Sequence, residues 1–369
     1  MNQLFRWDQM GLFLLALAAG ILPFAVPEVC AAALREGLTL CSGPLLLSLF
    51  PFLVVSRLLI QCPESDLLAL PFRLAAWGIG IRTPCAARVL CIGFLGGFAP
   101  AASAAAQAVR TGQLTVEEAD ALLPACICSG PSFVVLTVGQ SLLGSAELGV
   151  LLFASQITAN YLTAALLNRF AGVRSVKPGS AAPASPAPLR LDEILADAAI
   201  TYCKLCGFIL FFRMLAAGAG TLLPAGAGTL CAVLLEVCSG CDLASRTGRW
   251  GSLLCCAALS VQGLSVLLQV RTICPPEMTL RPLYRSRLLH LPLSLALFYL
   301  LLPGGEADVF STLPARVLLM RRVPPDCALL VFAVCCMAAC TLRSGIRQVE
   351  QKQMARNAGR CCINSKTLL

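Results

Sequence analysis

The chain has 369 residues, of which 58% are hydrophobic and 13% are charged, and its formal net charge is +9. Soluble globular chains carry about 25% charged residues, so this chain cannot cover itself with a polar surface. The composition excludes a soluble protein and predicts an integral membrane protein.

Apolar stretches of membrane length recur along the whole chain. The first follows Arg6 and is predicted to be a retained helix rather than a signal peptide, because Pro23, Pro27 and Glu28 make a poor cleavage site. All of the stretches are continuously apolar rather than alternating, which excludes a β-barrel. In chain order they are 11–27, 44–60, 89–109, 126–143, 147–168, 205–223, 227–245, 252–270, 288–303 and 327–342.

An acidic segment, LTVEEADALL (114–123), separates the third stretch from the fourth. Thr115 is suited to cap a helix, and Glu117 and Glu118 would fall in its first turn, where acids are favoured. The pattern predicts an amphipathic helix. Its acidic residues, including Asp120, are expected on a solvated face.

Basic residues indicate which ends of the helices are cytoplasmic. The tail 343–369 has six basic residues and a single acid, Glu350, so the positive-inside rule places it in the cytoplasm. Nucleic-acid binding is the alternative, but the basic residues are loosely spaced without aromatic residues among them, so no nucleic-acid partner is predicted. The segment 175–190 is rich in Pro, Ala and Ser and reads as a linker between two halves.

Ten crossing helices would place that basic linker outside, against the positive-inside rule. Most Lys and Arg residues become cytoplasmic if 126–143 and 252–270 each enter the membrane and return to the same side. This arrangement puts Arg287 at the cytoplasmic boundary and His290 at the mouth of a span. The predicted fold is therefore an all-α polytopic membrane protein with about eight transmembrane helices and two re-entrant or broken helices.

The two halves resemble each other in sequence. Each reads as a helix, a small-residue helix, a broken segment and a helix, and Arg57 aligns with Arg213. In the predicted topology the broken segments enter from opposite sides, as in transporters built from inverted repeats. Interrupted backbone at membrane depth needs protein or water around it, so these segments are expected to face a polar interior. The paired segments are FPFLVVSRLL (50–59) with CGFILFFRML (206–215), GFLGGFAPAAS (93–103) with LLEVCSGCDLAS (234–245), and SGPSFVVLTVG (129–139) with QGLSVLLQVRT (262–272).

Ionisable groups within membrane spans are candidates for function, and three are predicted here: Glu236, Arg57 and Arg213. Glu236 is suited to bind a cation or a proton, or the hydroxyl and amine groups of a solute. An ion pair with one of the arginines, serving only packing, is the alternative. Arg57 lies close enough to the end of its span to reach the interface.

Polar residues in and beside the broken segments are candidate solute ligands, because they donate and accept hydrogen bonds. Close packing between helices is the alternative role of Ser and Gly. The candidate ligands are Ser129, Ser132, Gln140, Ser239, Gln262, Ser265 and Gln269, and the predicted helix breaks are Gly130, Pro131 and Gly263.

The sequence contains no clear pattern of a catalytic site or a metal site. His290 is the single histidine and has no carboxylate near it in sequence, as a Ser/His/Asp site would require. The pairs Cys203/Cys206 and Cys238/Cys241 have zinc-ligand spacing, but they lie in apolar segments without a polar turn, where cysteine packs as a small hydrophobe. We predict no enzyme, no metal and no cofactor, and leave a coupling ion open.

Several segments together resemble the YlbJ-type sporulation integral membrane proteins, which carry the nucleoside-recognition Gate domain. They are PEVCAAALREGLTLCSGPLLLSLFPFLVVSRLL (27–59), 93–139, LLEVCSG (234–240), GLSVLLQV (263–270) and RLLH (287–290). The resemblance implies a multi-pass protein of the forespore or mother-cell membrane in a spore-forming bacterium, needed for spore cortex formation. It also implies kinship with the gate helices of concentrative nucleoside transporters, and hence a nucleoside-like solute.

The family's motif residues carry over to Gly97, Pro100, Ser129, Gly130, Pro131, Glu236, Gly240, Gly263, Ser265 and Gln269. This chain departs from the family at positions that are usually Asn, Thr or His, where it has Cys126, Cys128, Cys238, Ser239 and Leu267. Fewer polar groups at these positions imply a weaker site or a different ligand.

The sequence therefore predicts a transporter-like or solute-recognising membrane protein. The alternative is a scaffold that holds partners of spore cortex assembly without transporting anything. The predicted parts are 1–43, an N-terminal membrane helix and amphipathic connector; 44–170, the first repeat; 171–190, a cytoplasmic linker; 191–303, the second repeat; 304–342, an external loop and last membrane helix; and 343–369, the basic cytoplasmic tail.

Overall fold

Helices make up the part of the chain that the computed structural model describes, residues 2–172 and 191–302, and no strand occurs within it. The predicted all-α class is confirmed there. The linker, the last apolar stretch and the basic tail lie outside the described residues. The helices are α1 (Asn2–Ala25), α2 (Pro27–Ser42), α3 (Pro44–Gln61), α4 (Leu70–Gly78), α5 (Pro84–Gly96), α6 (Phe98–Arg110), α7 (Val116–Cys126), a π-helix (Ser132–Leu142), α8 (Ala146–Ala171), α9 (Leu191–Leu222), α10 (Ala225–Leu235), α11 (Val237–Ser245), α12 (Gly251–Val261), α13 (Gly263–Ile273) and α14 (Arg281–Leu301).

Length and apolar composition make four helical segments within these residues suited to cross a membrane. They are Pro27–Gln61, Ala146–Ala171, Leu191–Leu222 and Gly248–Ile273. Together with many exposed large apolar side chains, they indicate a lipid bilayer as the surroundings of this chain. The count of eight spans stays a prediction.

Each half of the described chain contains a pair of neighbouring helix interruptions, besides the break at Gly43 between α2 and α3. In the first half, Gly97 separates α5 from α6, and residues 127–131 separate α7 from the π-helix. In the second half, Glu236 separates α10 from α11, and Gln262 separates α12 from α13. The prediction of one continuous helix in each of 89–109 and 227–245 is wrong. Gly97 has φ +81° and Glu236 has an extended backbone, so neither continues a helix.

The two interruptions of each half touch one another. A Cβ atom on Gly97 would lie 2.7 Å from the backbone nitrogen of Gly130. One on Gly263 would lie 2.9 Å from the carbonyl oxygen of Leu235 and 3.0 Å from the backbone nitrogen of Glu236. Both glycines also have positive φ, which strains any other residue. The close approach of the interruptions therefore depends on a glycine in each half.

Helix α7 begins as predicted, with a capping box in which Thr115 and Glu118 bond to each other's backbone N–H groups. The predicted solvated face is wrong, because Glu118 and Asp120 are both buried. Asp120 accepts hydrogen bonds from Thr279 N at 2.9 Å, Thr279 Oγ1 at 2.7 Å and Leu280 N at 3.2 Å. The acid therefore anchors the backbone that leads into α14.

Two groups of helices surround the interruptions. Helix α8 packs against α7, the π-helix and α14, and α12 also packs against α14. Helix α9 packs against α2, α3 and α10, and α3 also packs against α5 and α6. The interruptions of both halves therefore lie inside the protein, where polar backbone can be covered.

Candidate functional site

A small cavity lies where the interrupted helices of both halves meet. Its volume is about 50 Å³, and it is partly open to the outside of the protein. That space holds a few water molecules, whereas pockets for drug-sized ligands measure about 300–1,000 Å³. The residues around it are Leu45, Leu49, Gly96, Phe98, Ser129, Gly130, Ser132, Phe133, Ile209, Glu236, Val237, Cys238, Val266 and Gln269.

Glu236 is the charged member of this lining and is only 2% exposed. Its side chain caps α11: Oε1 accepts from Cys238 N at 2.8 Å, and Oε2 accepts from Ser239 N at 2.7 Å and Ser239 Oγ at 2.9 Å. A helix N-terminus carries partial positive charge and stabilises a carboxylate there. These bonds hold the carboxylate at the cavity through backbone N–H groups and a hydroxyl group rather than through a cationic side chain.

Gln269 brings an unused acceptor to the same cavity. Its Nε2 donates to Ser265 Oγ at 2.8 Å, while its buried Oε1 has no partner among the described residues. Ser129 and Ser132 add hydroxyl groups to the lining. A buried acceptor without a donor is costly, so this arrangement favours a ligand that brings hydrogen-bond donors.

The other predicted ligands do not line the cavity; they are Gln140, Ser239, Gln262 and Ser265. Ser239 and Ser265 bind the side chains of Glu236 and Gln269, respectively. Gln140 is exposed and does not line the cavity, which differs from the expectation for this residue. The sequence could not show this, because the irregular π-helix changes which of its side chains share a face.

The predicted helix breaks lie at the interruptions. Gly130 lines the cavity, and Pro131 immediately precedes the π-helix. Gly263 begins α13, directly after Gln262, whose φ is +63°.

The two intramembrane arginines pair with acids other than Glu236. Arg57 bonds to Asp197, and Arg213 Nη2 lies 2.7 Å from Glu36 Oε2. Arg213 remains within electrostatic range of Glu236. The described contacts therefore show no ion pair between Glu236 and either arginine.

The structure adds buried ionisable residues that the sequence analysis placed at the membrane boundary. Helix α14 begins at Arg281, before the apolar stretch at 288–303, so Arg287 and His290 both lie within it. Arg287 is 8% exposed and His290 is fully buried. Their predicted positions at a boundary and at the mouth of a span stay predictions, but their burial inside the protein was not predicted. The positive-inside rule assigns a basic residue to a side of the membrane, and it carries no information on packing.

Arg287 belongs to a group of donors around one backbone carbonyl, that of Ile127. The carbonyl oxygen accepts from Gln262 Nε2 at 3.1 Å, Asn160 Nδ2 at 3.3 Å and Arg287 Nη1 at 3.5 Å. Arg287 Nη2 also donates to Asn160 Oδ1 at 3.0 Å. Gln262 thus joins the interruption of the second half directly to that of the first.

A second polar layer continues from there between α8, α12 and α14. Gln156 Nε2 donates to Ser260 Oγ at 2.9 Å, and the hydroxyls of Ser260 and Ser294 lie 2.5 Å apart. The Nε2 atom of His290 lies 3.2 Å from the carbonyl oxygen of Gln156. A sequence signal for this layer exists, because Gln156 and Asn160 are four residues apart and so share a helix face.

Comparison with models of known families, with curated proteins and with solved structures finds no match for this chain. Within the described residues, no group of three or more His, Cys, Asp or Glu side chains is placed to hold a metal ion.

Proposed function

We propose that this chain is a transporter-like membrane protein that recognises a small solute at the cavity between its interrupted helices. The observation that carries the proposal is that one cavity is lined by a buried carboxylate, Glu236, and by a buried acceptor, Gln269 Oε1, that has no partner among the described residues. Buried polar groups without partners are rare in packed interiors and call for a specific reason. A bound solute supplies one.

An inverted repeat is the architecture that we propose around this site. Its support is that each half has a pair of neighbouring helix interruptions, which touch at Gly97 and Gly130 in the first half and at Glu236 and Gly263 in the second. Transporters with inverted repeats bind solutes where such discontinuous helices meet. The eight crossing helices and two re-entrant segments belong to this proposal.

The chemistry of the lining favours a solute with donor groups and an apolar face. Glu236 and Gln269 offer acceptors, whereas Leu49, Phe98 and Phe133 offer apolar surface. A nucleoside has hydroxyl and amine donors together with a flat ring, in agreement with the resemblance to the Gate domain proteins. Because the volume of the cavity is only about 50 Å³, the interruptions must separate before a nucleoside can enter.

The resemblance also supports the cellular setting. We propose the membrane of a spore-forming bacterium, with the basic tail in the cytoplasm and a role in spore cortex formation. A scaffold that holds assembly partners is the competing function, and the two differ in whether they need an acid at the cavity.

Glu236→Gln separates these functions. The substitution removes the charge and turns one of the two oxygens that cap α11 into a donor, so we expect a loss of about 1–3 kcal/mol in stability and normal insertion. Uptake of tritiated uridine or adenosine into proteoliposomes should fall about tenfold or more, since hydrogen bonds to a charged group contribute about 1.5–3 kcal/mol. The measurement is initial uptake rate at equal protein content.

Glu117→Gln is the matched control, because Glu117 is an exposed acid in the first turn of α7. It should leave uptake unchanged. Normal sporulation in cells that carry only the Glu236→Gln protein would favour the scaffold. Wild-type vesicles that take up no ribonucleoside would contradict the proposed solute class.

A further inference from the structure

Arg287 carries a buried charge for which the cavity gives no explanation. Within residues 2–172 and 191–302, no ion pair with a carboxylate is found for it. An isolated buried cation is costly, and inside a membrane domain it marks a functional position. Its nearest oxygens are Asn160 Oδ1 at 3.0 Å and Ser286 Oγ at 3.2 Å, followed by two carbonyl oxygens at the C-terminal end of α7, those of Pro124 and Ile127, at 3.5 Å each.

The end of α7 compensates part of this charge. A helix C-terminus carries partial negative charge, and its last carbonyls lack partners within the helix. The guanidinium lies 3.5 Å from each of the two carbonyl oxygens and 3.0 Å from Asn160 Oδ1. The same contacts fix the point at which the chain leaves α7 and enters 127–131.

Gln262 supports the same carbonyl at a conformational cost. It is one of two non-glycine residues with positive φ in the described chain. The left-handed conformation costs about 1–2 kcal/mol for such a residue. Its Nε2 donates to the Ile127 carbonyl, so the strained residue is also the one that links the two interruptions.

We propose that Arg287 and Gln262 form a clamp on the Ile127 carbonyl that holds 127–131 in its bend and thereby positions Ser129 at the cavity. Both are positioning residues, since they act through Ile127 and do not line the cavity. The clamp also makes the bend of the first half depend on a side chain of the second. Its role in solute recognition rests on the proposed function, whereas its hold on the loop does not.

Cys128 reports the position of this loop. It follows Ile127 directly, is 2% exposed, and lies with its Sγ 3.8 Å from the Gly93 carbonyl oxygen. Cys255, in α12, is fully buried and its Sγ lies 3.4 Å from the Cys241 carbonyl oxygen, so it serves as an internal reference. Alkylation by N-ethylmaleimide, followed for each peptide by mass spectrometry, measures both in the full chain in detergent.

Arg287→Met keeps the length of the side chain and removes the charge and the donors. We expect Cys128 to react about tenfold faster or more, with Cys255 unchanged. Loss of a nearby positive charge by itself disfavours the reactive thiolate, so a faster reaction reports exposure. Arg287→Lys should restore protection in part, because it returns the charge. Ser294→Ala is the matched control: it lies on the same face of α14, two turns away, and should leave Cys128 protected.

Two results would overturn the clamp. One is an unchanged rate at Cys128 in Arg287→Met. The other is an equal rise at Cys128 and Cys255, which would show general loosening rather than a local hold. Should Arg287→Met fail to fold, Gln262→Leu decides the matter by the same selective rise at Cys128. Because alkylation needs no solute, absence of uptake by the wild-type protein would contradict the proposed function without deciding the clamp.

Discussion

Glu236 shows how much of a site a single residue can reveal from sequence. A glutamate within an apolar run predicts burial and function, and the side chain is buried at the cavity. Its capping of α11 could not be predicted, because the helix was read as continuous through that position. A cap exists only where a helix begins.

Asp120 is the residue where reading the local pattern failed most clearly. Its sequence neighbours suit an exposed first turn, but the residue that needs its carboxylate is Thr279, far away in sequence. A contact of this kind leaves no local pattern. The same holds for Arg287 and Asn160, which meet only after α8 and α14 pack together.

Asp120→Asn should lower the free energy of unfolding by about 1–3 kcal/mol, because it turns one acceptor toward Thr279 or Leu280 into a donor. The measurement is a denaturation titration with sodium dodecyl sulfate in detergent micelles. Glu117→Gln, an exposed acid on the same helix, should change stability by less than about 0.5 kcal/mol. Equal effects of the two substitutions would show that Asp120 anchors nothing.

At the scale of elements, the sequence predicted the interruptions in 126–143 and 252–270 and missed those at Gly97 and Glu236. The two predicted ones contain Ser-Gly-Pro and Gln-Gly, which do not favour a continuing helix. The segment GFLGGFAPAAS also holds paired glycines and a proline, but its small residues predict a continuous small-residue helix. Small residues occur both in closely packed helices and at helix interruptions. In this segment only the positive φ of Gly97 shows that the helix is interrupted.

Gly97→Ala should lower the free energy of unfolding by about 3 kcal/mol, from strain at positive φ and from collision with Gly130. Gly112→Ala is the matched control. Gly112 has φ +70°, close to that of Gly97, and nothing lies within 4 Å of its missing Cβ. Its substitution should cost only about 1 kcal/mol. The same denaturation titration measures both, and equal losses would contradict the close approach of the two interruptions.

At the scale of the molecule, composition predicted the class, and apolar runs predicted most helices. Helix ends were less certain: α9 and α14 each begin before their apolar stretch, at Leu191 and Arg281. Polar residues extend these helices, so hydropathy alone underestimates them. The inverted repeat depends on one further prediction, which is the side of the membrane from which each broken segment enters.

Three engineered cysteines test that sidedness. Arg110, Arg249 and Glu277 are exposed at the ends of α6, before α12 and after α13, respectively. If 126–143 is re-entrant, an odd number of crossings separates Arg110 from Arg249, and the two residues lie on opposite sides of the membrane. Arg110→Cys should then react with a membrane-impermeant maleimide in intact cells, and Arg249→Cys should react only after permeabilisation. Peptide mass spectrometry distinguishes these sites from the native cysteines.

Glu277→Cys completes the test, because a re-entrant 252–270 must return the chain to the side of Arg249. We expect both to be labelled only after permeabilisation. Labelling of Glu277→Cys in intact cells would mean that Gly248–Ile273 crosses the bilayer, as its length permits. Labelling of Arg110→Cys and Arg249→Cys from one side would mean that 126–143 crosses. Either result removes the inverted arrangement, while the burial of Glu236 and Gln269 at the cavity is unaffected, because it does not depend on which way the chain enters the membrane.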